Sequence, residues 1–223
     1  MMVGVLLAAG ASTRMGSPKP LLKTRGMSFI AQGVIRLWTV CDQVVVVLGS
    51  GAARVRRDTE AEFAGLVESG ALQQSLALAH RHGADGLELH FVDNEGWKSG
   101  MYGSVRIGLH EAMAARPEAV LVAPVDHPSV HARTVIELAS VMRAALAACK
   151  TPKERKSLAY ALVPRHRRRR GHPVALSPAL CATIAADAAA EDLSDAIRRN
   201  TRLLGYLDVT DVGVTRNVNR PGD

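Results

Sequence analysis

The chain alternates short, wholly apolar runs with stretches in which apolar residues return every three or four positions. Residues 3–8 and 44–48 are continuous apolar runs, the mark of strands buried on both faces, and 119–123 is a third of the same kind. Residues 89–92, 158–163, 173–176 and 203–209 are further strand candidates. Between the strands lie helical patterns. Residues 28–38 carry Ile30, Val34 and Leu37 at helical spacing, 52–83 read as two helices, and 104–116 set Val105, Leu109 and Met113 on one side before Pro117 stops them. Residues 132–149 repeat the pattern with Val135, Leu138, Met142 and Leu146, and two short helical stretches precede the last strand. Residues 150–157 read as a polar linker. Strands that alternate with helices predict an α/β sandwich of three layers, with a sheet covered on both faces. No repeat of period 20 to 50 and no sharp break in composition divides the chain, so residues 1–223 are expected to form one domain.

Composition narrows this picture. Of 223 residues 48% are apolar but only 4% aromatic, so the core must be built from Ala, Val and Leu, and general disorder is excluded. The net charge of +7 is local: removing Arg165, Arg167, Arg168, Arg169 and Arg170 leaves +2. Such confinement, with no interleaved aromatics, argues for an anionic partner at one place or a solvated hairpin tip, and against a nucleic-acid coat. Cys41, Cys149 and Cys181 are odd in number and widely spaced, which suits a reducing cytoplasm better than a disulfide framework or a zinc site. No apolar run reaches the roughly 18 residues that span a bilayer, and the chain enters its first strand without a basic leader, so neither membrane nor signal peptide is expected.

Ligands of open α/β sheets bind beyond the carboxyl ends of the strands, which directs attention to Leu6-Leu7-Ala8-Ala9-Gly10-Ala11-Ser12-Thr13-Arg14-Met15-Gly16-Ser17-Pro18-Lys19. Small residues at Ala8, Ala9 and Gly10 let backbone N–H groups approach a phosphate chain, and Arg14 and Lys19 bring positive charge to it. Five residues separate Gly10 from Gly16 and no Gly-Lys-Ser/Thr follows, so this is neither a Walker A loop nor G-x-G-x-x-G.

This loop resembles the signature of nucleotidyltransferases with a glycosyltransferase-A-like fold and, within them, the molybdenum cofactor nucleotidyltransferases. Four further segments match in order. Asn94-Glu95-Gly96-Trp97-Lys98-Ser99-Gly100-Met101-Tyr102-Gly103-Ser104 is similar to the Asn…Trp…Gly-Met…Ser segment of the cytidylyltransferase branch. Pro124-Val125-Asp126-His127-Pro128 resembles its Asp-Gln-Pro, Gly171-His172-Pro173-Val174 its Gly-His-Pro-Val, and Asn217-Val218-Asn219-Arg220-Pro221-Gly222-Asp223 its closing Asp-x-Asp-Thr-Pro-Glu-Asp. The resemblance implies a Rossmann-like sandwich with a mixed, mostly parallel sheet, and residues 52–88 are longer than the family needs, which suggests a helical insertion there.

It also implies a reaction. A phosphorylated acceptor, molybdopterin first among them, attacks the α-phosphate of a nucleoside triphosphate and pyrophosphate leaves, with a molybdoenzyme or its chaperone as a further partner. Arg14, Lys19 and Asp126 would be catalytic. Nucleotide would be held by Leu7, Ala8, Ala9, Gly10, Ala11, Ser12, Arg14, Lys19, Gly100 and Ser104. Asp126 and Asn219 would bind Mg²⁺, a hard cation that takes oxygen ligands. Trp97, His127 and His172 would meet the acceptor. Ala8-Ala9-Gly10 and Gly103-Ser104 favour CTP, whereas Asn217 and Asn219 stand where the cytidylyl branch has Asp and resemble the guanylyl branch. His127 replaces Gln beside the expected metal ligand. The Asn-bearing tail and His127 also keep open a nucleotide-binding regulatory protein without turnover.

Structural readings stand beside these. Gly10 and Gly16 suit a tight strand-to-helix turn, Asp126 and Ser104 each suit the N-cap of the helix that follows, Trp97 suits a core, and His172 suits a loop-orienting role.

Overall fold

A computed structural model describes residues 1–10, 18–78 and 86–218. The elements in chain order are β1 (Met2–Ala8), a 3-10 turn (Lys19–Leu21), β2 (Lys23–Thr24), β3 (Met27–Ser28), α1 (Phe29–Trp38), β4 (Gln43–Leu48), α2 (Ala52–Glu68), α3 (Ala71–Leu78), β5 (Glu88–Asp93) and a second 3-10 turn (Trp97–Ser99). There follow α4 (Met101–Ala114), β6 (Ala119–Pro124), α5 (Ala132–Ala147), α6 (Pro152–Ser157), β7 (Tyr160–His166), β8 (Arg169–Arg170), β9 (Val174–Leu176), α7 (Pro178–Ala186), α8 (Leu193–Asn200), β10 (Leu203–Asp208) and a third 3-10 turn (Val212–Thr215).

The main sheet runs β10-β7-β9-β6-β1-β4-β5, with β8 paired to β7. β1 is parallel to both β4 and β6, and β4 to β5. β9 is antiparallel to β6 and to β7, so β7 again points the same way as β6. The sheet is mixed and mostly parallel, as the resemblance implies.

Alternation along β1 sorts the core into two layers. Met2, Leu6 and Ala8 pack with α1, α2 and α5, while Val3, Val5 and Leu7 pack with α4 and α7 on the other face. All seven residues of β1 and all six of β4 are buried, and each large apolar side chain so buried contributes about 1.5–3 kcal/mol. α4 reaches β1 closely because residue 108 is glycine: a Cβ there would lie 2.5 Å from Val5 Cγ1 and 2.9 Å from Val47 Cγ2. Among the described residues no helix is long and apolar enough to cross a membrane.

Three local features depart from the sequence reading. Residues 152–157 form the helix α6, not a linker, because Thr151 and Glu154 make a reciprocal capping box. α4 starts at Met101, three residues before the expected start. β2 and β3 form a small antiparallel hairpin that no apolar pattern announces.

Candidate active site at the carboxyl edge of the sheet

β1 and β6 lie side by side, with Leu7 opposite Pro124, so both chains leave the sheet at the same edge. A cleft of about 290 Å³ opens between them. It is lined by Leu7, Ala8, Ala9 and Gly10 at the end of β1, by Val125 and Asp126 after β6, and by Lys19 and Pro20. Trp97, Lys98, Gly100, Met101 and Ser104 complete the lining. Nine of the expected site residues thus meet in one cleft. Ala11, Ser12, Arg14 and Asn219 lie outside the described residues.

Lys19, Lys98 and Asp126 are the charged residues of the cleft lining, and two of them pair. Lys19 opens the first 3-10 turn, and its Nζ lies 3.4 Å from Asp126 Oδ2, with the two side chains 20% and 24% exposed. In this pair a cation and a hard oxygen donor face the same space. The Asp126 loop is pinned from three sides. Val125 N–H donates to the Leu7 carbonyl at 3.0 Å, and Val218 N–H donates to the Asp126 carbonyl at 2.8 Å. The Arg36 guanidinium donates to the carbonyls of His127 and Pro128. Burial pulls the Arg36 pKa down to about 10 against the pull of Asp211, which leaves it a cation at neutral pH.

The N-cap readings of Asp126 and Ser104 fail. α5 starts at Ala132 after the N-cap His131, and Asp211, not Asp126, meets this helix start, accepting from His131 N–H at 2.8 Å and Thr134 Oγ1 at 2.7 Å. Ser104 sits inside α4, where its Oγ accepts from Asn94 Nδ2 at 2.9 Å in a buried contact. The hydroxyl proton of Ser104 therefore remains to be donated elsewhere. Asn94 itself is anchored by its N–H on the Leu48 carbonyl at 2.7 Å. The end of β4 fits against the cleft wall only because residue 49 is glycine: a Cβ there would lie 2.4 Å from the Ala9 carbonyl oxygen and 2.7 Å from Trp97 Cβ.

Of the three residues expected to meet an acceptor, Trp97 lines the cleft, with Lys98 Nζ 5.6 Å from its ring centroid. His127 and His172 line a separate void of about 10 Å³ behind the Asp126 loop, their ring centroids 5.1 Å apart. His127 Nδ1 lies 3.3 Å from the Gly213 carbonyl oxygen. Burial lowers the His127 pKa, opposed by Asp126, and lowers that of His172 to about 4, helped by His127. His172 Nδ1 is buried without a hydrogen-bond partner. Sequence reasoning missed two residues, Asn94 and Asp211. Asn94 lay within a matched segment, whereas the sequence around Asp211 announces only its local cap on Gly213 N–H and not its partners 77 and 80 residues away. No group of three or more His, Cys, Asp or Glu residues able to hold a metal occurs among the described residues.

Residues 4–203 match the family model described as the MobA-like NTP transferase domain. The chain is 31% identical over 222 residues to nicotine blue oxidoreductase of Paenarthrobacter nicotinovorans, covering 96% of this chain and 90% of that one. It is 38% identical over 86 residues to a probable molybdenum cofactor guanylyltransferase of Rhodopirellula baltica, covering 35% and 41% of the two chains. Among solved structures, Rv0371c of Mycobacterium tuberculosis H37Rv superposes with a TM-score of 0.66 at 20% identity, over 99% of this chain and 94% of that one. Its manganese complex gives 0.57 at 20% identity, over 93% and 88%. With that match over most of its length and a glycosyltransferase-A-like sheet to carry it, the chain belongs to the MobA-like NTP transferase domain family of nucleotidyltransferases.

Proposed function

We propose that this protein transfers CMP from CTP to a phosphorylated acceptor, molybdopterin in the first place, in a Mg²⁺-dependent reaction that releases pyrophosphate. The observation that carries the reading is the Lys19–Asp126 pair at the carboxyl edge of β1 and β6. Mg²⁺ usually keeps several waters and takes one or two carboxylates together with substrate phosphates, so a single carboxylate beside a phosphate-binding loop fits it. Asp126 would hold it, and Asn219, which directly follows Val218, would add a carbonyl oxygen. When bound, the ion neutralises charge on the triphosphate.

The chain's own residues do the rest. Lys19 and Arg14 hold triphosphate oxygens, and the backbone from Ala8 to Ser12 cradles them. Ser104, its oxygen already engaged by Asn94, donates its hydroxyl proton to the base. Trp97 orients the acceptor, whose phosphate oxygen approaches the α-phosphorus in line. The new P–O bond forms as the bond to the β-phosphate oxygen breaks, and holding the two reactants in that geometry supplies much of the rate.

The test is pyrophosphate release from CTP, GTP, ATP and UTP, each with molybdopterin and with Mg²⁺ or Mn²⁺. Release from CTP supports the reading, and release from GTP alone transfers it to the guanylyl reaction. Thermal stabilisation by a triphosphate without any release identifies a binding protein. A second reading, oxidoreduction of nicotine blue, is favoured by the identity to the P. nicotinovorans relative over almost the whole chain. Following nicotine blue absorbance with NADH or NADPH in the same preparation decides it.

A further inference from the structure

The five arginines that confine the charge of the chain form one rigid device. β7 and β8 pair Arg165 with Arg170 and His166 with Arg169, leaving Arg167 and Arg168 as a two-residue turn. Both turn residues have positive φ, 49° and 66°. Asn-Gly is the usual occupant of such a turn because a Cβ is strained there, so this sequence holds two arginines where they fit worst. The base of the hairpin is fixed. Arg165 makes two hydrogen bonds to the Asp208 carboxylate, at 2.8 and 2.6 Å, and lies 4.5 Å from the Tyr206 ring centroid. Arg170 covers the same ring at 5.4 Å. Arg167, Arg168, Arg169 and Arg170 are all exposed, and among the described residues none of the four has a carboxylate within 4 Å, the charge of Arg168 reaching Asp208 only at longer range.

The hairpin also has a place. β7 points the same way as β6, so its tip projects from the edge of the sheet that opens the cleft. None of the four arginines lines that cleft. A small anion is gripped in a concavity, and these guanidinium groups instead stand on a projecting tip. The neighbouring aromatic, Tyr206, is already covered by Arg165 and Arg170, which leaves no free ring for stacking a nucleic-acid base.

We propose that the arginine hairpin is a docking surface for an acidic segment of a partner protein, which it seats beside the cleft. Guanidinium groups pair with carboxylates through two parallel hydrogen bonds, and a turn held in place loses little freedom when it does so.

The proposal is tested with a fluorescent ten-residue polyglutamate peptide, titrated by anisotropy against the full chain at 50 and 200 mM salt. The quadruple variant Arg167→Asn, Arg168→Gly, Arg169→Gln, Arg170→Gln places residues suited to the turn at 167 and 168, which offsets the lost Arg170–Tyr206 contact, so its melting temperature should stay near the parent's. If it fails to fold, Arg169→Gln with Arg170→Gln serves in its place. A control with the same charge change elsewhere carries Arg54→Gln, Arg57→Gln, Arg133→Gln and Lys153→Gln. The expected result is about tenfold weaker binding by the hairpin variant, parent-like binding by the control, and weaker binding of a ten-nucleotide oligothymidylate than of the peptide. Equal losses in variant and control would reduce the effect to net charge and overturn the proposal. Tighter binding of the oligothymidylate would overturn it in favour of nucleic acid, and absence of peptide binding by the parent would also overturn it.

Discussion

Asp126 and His127 are neighbours in the chain with different surroundings, although His127 Nε2 still lies 3.9 Å from Asp126 Oδ1. Asp126 turns to the cleft, partly hydrated and 3.4 Å from an ammonium group. His127 turns to a void of about 10 Å³, against another imidazole and a carbonyl. The backbone carbonyls of residues 126, 127 and 128 all accept hydrogen bonds, so the loop cannot roll to exchange the two sides. The difference teaches that four residues after a strand can separate charge from packing. The carboxylate keeps an open side toward the cleft, whereas burial lowers the pKa of the histidine beside it and favours the neutral imidazole.

The largest expected effect breaks the dry side. The His172 pKa is about 4 in the folded protein against about 6.5 in the unfolded chain. Between those values the unfolded state binds the extra proton, so stability is complete above about pH 6.5 and falls as the pH drops toward 4, by up to about 3 kcal/mol. Urea unfolding of the parent and His172→Leu across pH 4–7.5 measures this, and the variant should lose that part of the slope. An identical slope in both proteins would contradict it.

On the wet side, Asp126→Asn keeps the size and removes the charge. Turnover and apparent metal affinity should fall together, the rate by about a hundredfold, as for loss of one strong electrostatic group. Circular dichroism should be unchanged, since Asp126 caps no helix. An unchanged Mg²⁺ dependence would move the metal elsewhere. Lys19→Ala should lower turnover at least about tenfold, or about 1.4 kcal/mol of transition-state stabilisation, and near-normal kinetics would remove Lys19 from the site. The smallest effect sharpens the comparison: His127→Gln, still facing the void, should leave turnover within about threefold, or about 0.6 kcal/mol. A larger loss in steady-state kinetics would show that the imidazole 3.9 Å from Asp126 supports its work in turnover.

The two-sided burial of β1, β4 and β6 was legible because such strands are written as unbroken apolar runs. The cleft was legible through its small residues and charges, Ala8 to Gly10, Lys19 and Asp126. What escaped depends on contacts distant in sequence or on very short elements. Asp211 shows locally only a cap on Gly213 N–H, since its second carboxylate oxygen is engaged by Thr134 and His131 far back in the chain. The hairpin of β2 and β3 has two residues a side, too few for any periodicity. The α6 helix is a different case: Thr151 and Glu154 stand at capping-box spacing in the sequence, and the signal was hidden by the polar composition around it. The side to which each histidine turns follows from Gly213 and from the packing behind the loop, which no spacing of residues encodes.

Residues 209–218 act as a strap between distant parts of the sheet. Val209 N–H donates to the Arg165 carbonyl, the Val214 carbonyl accepts from His172 N–H, and Val218 N–H reaches Asp126. The strap has a consequence for biosynthesis. His127 meets Gly213 across 86 residues of sequence, and at roughly 5–20 residues per second a ribosome needs about 4 to 17 seconds to make that stretch. Until then the loop bearing Asp126 lacks its last fastening, so a nascent chain can finish the parallel core around β1 well before it can present a completed cleft.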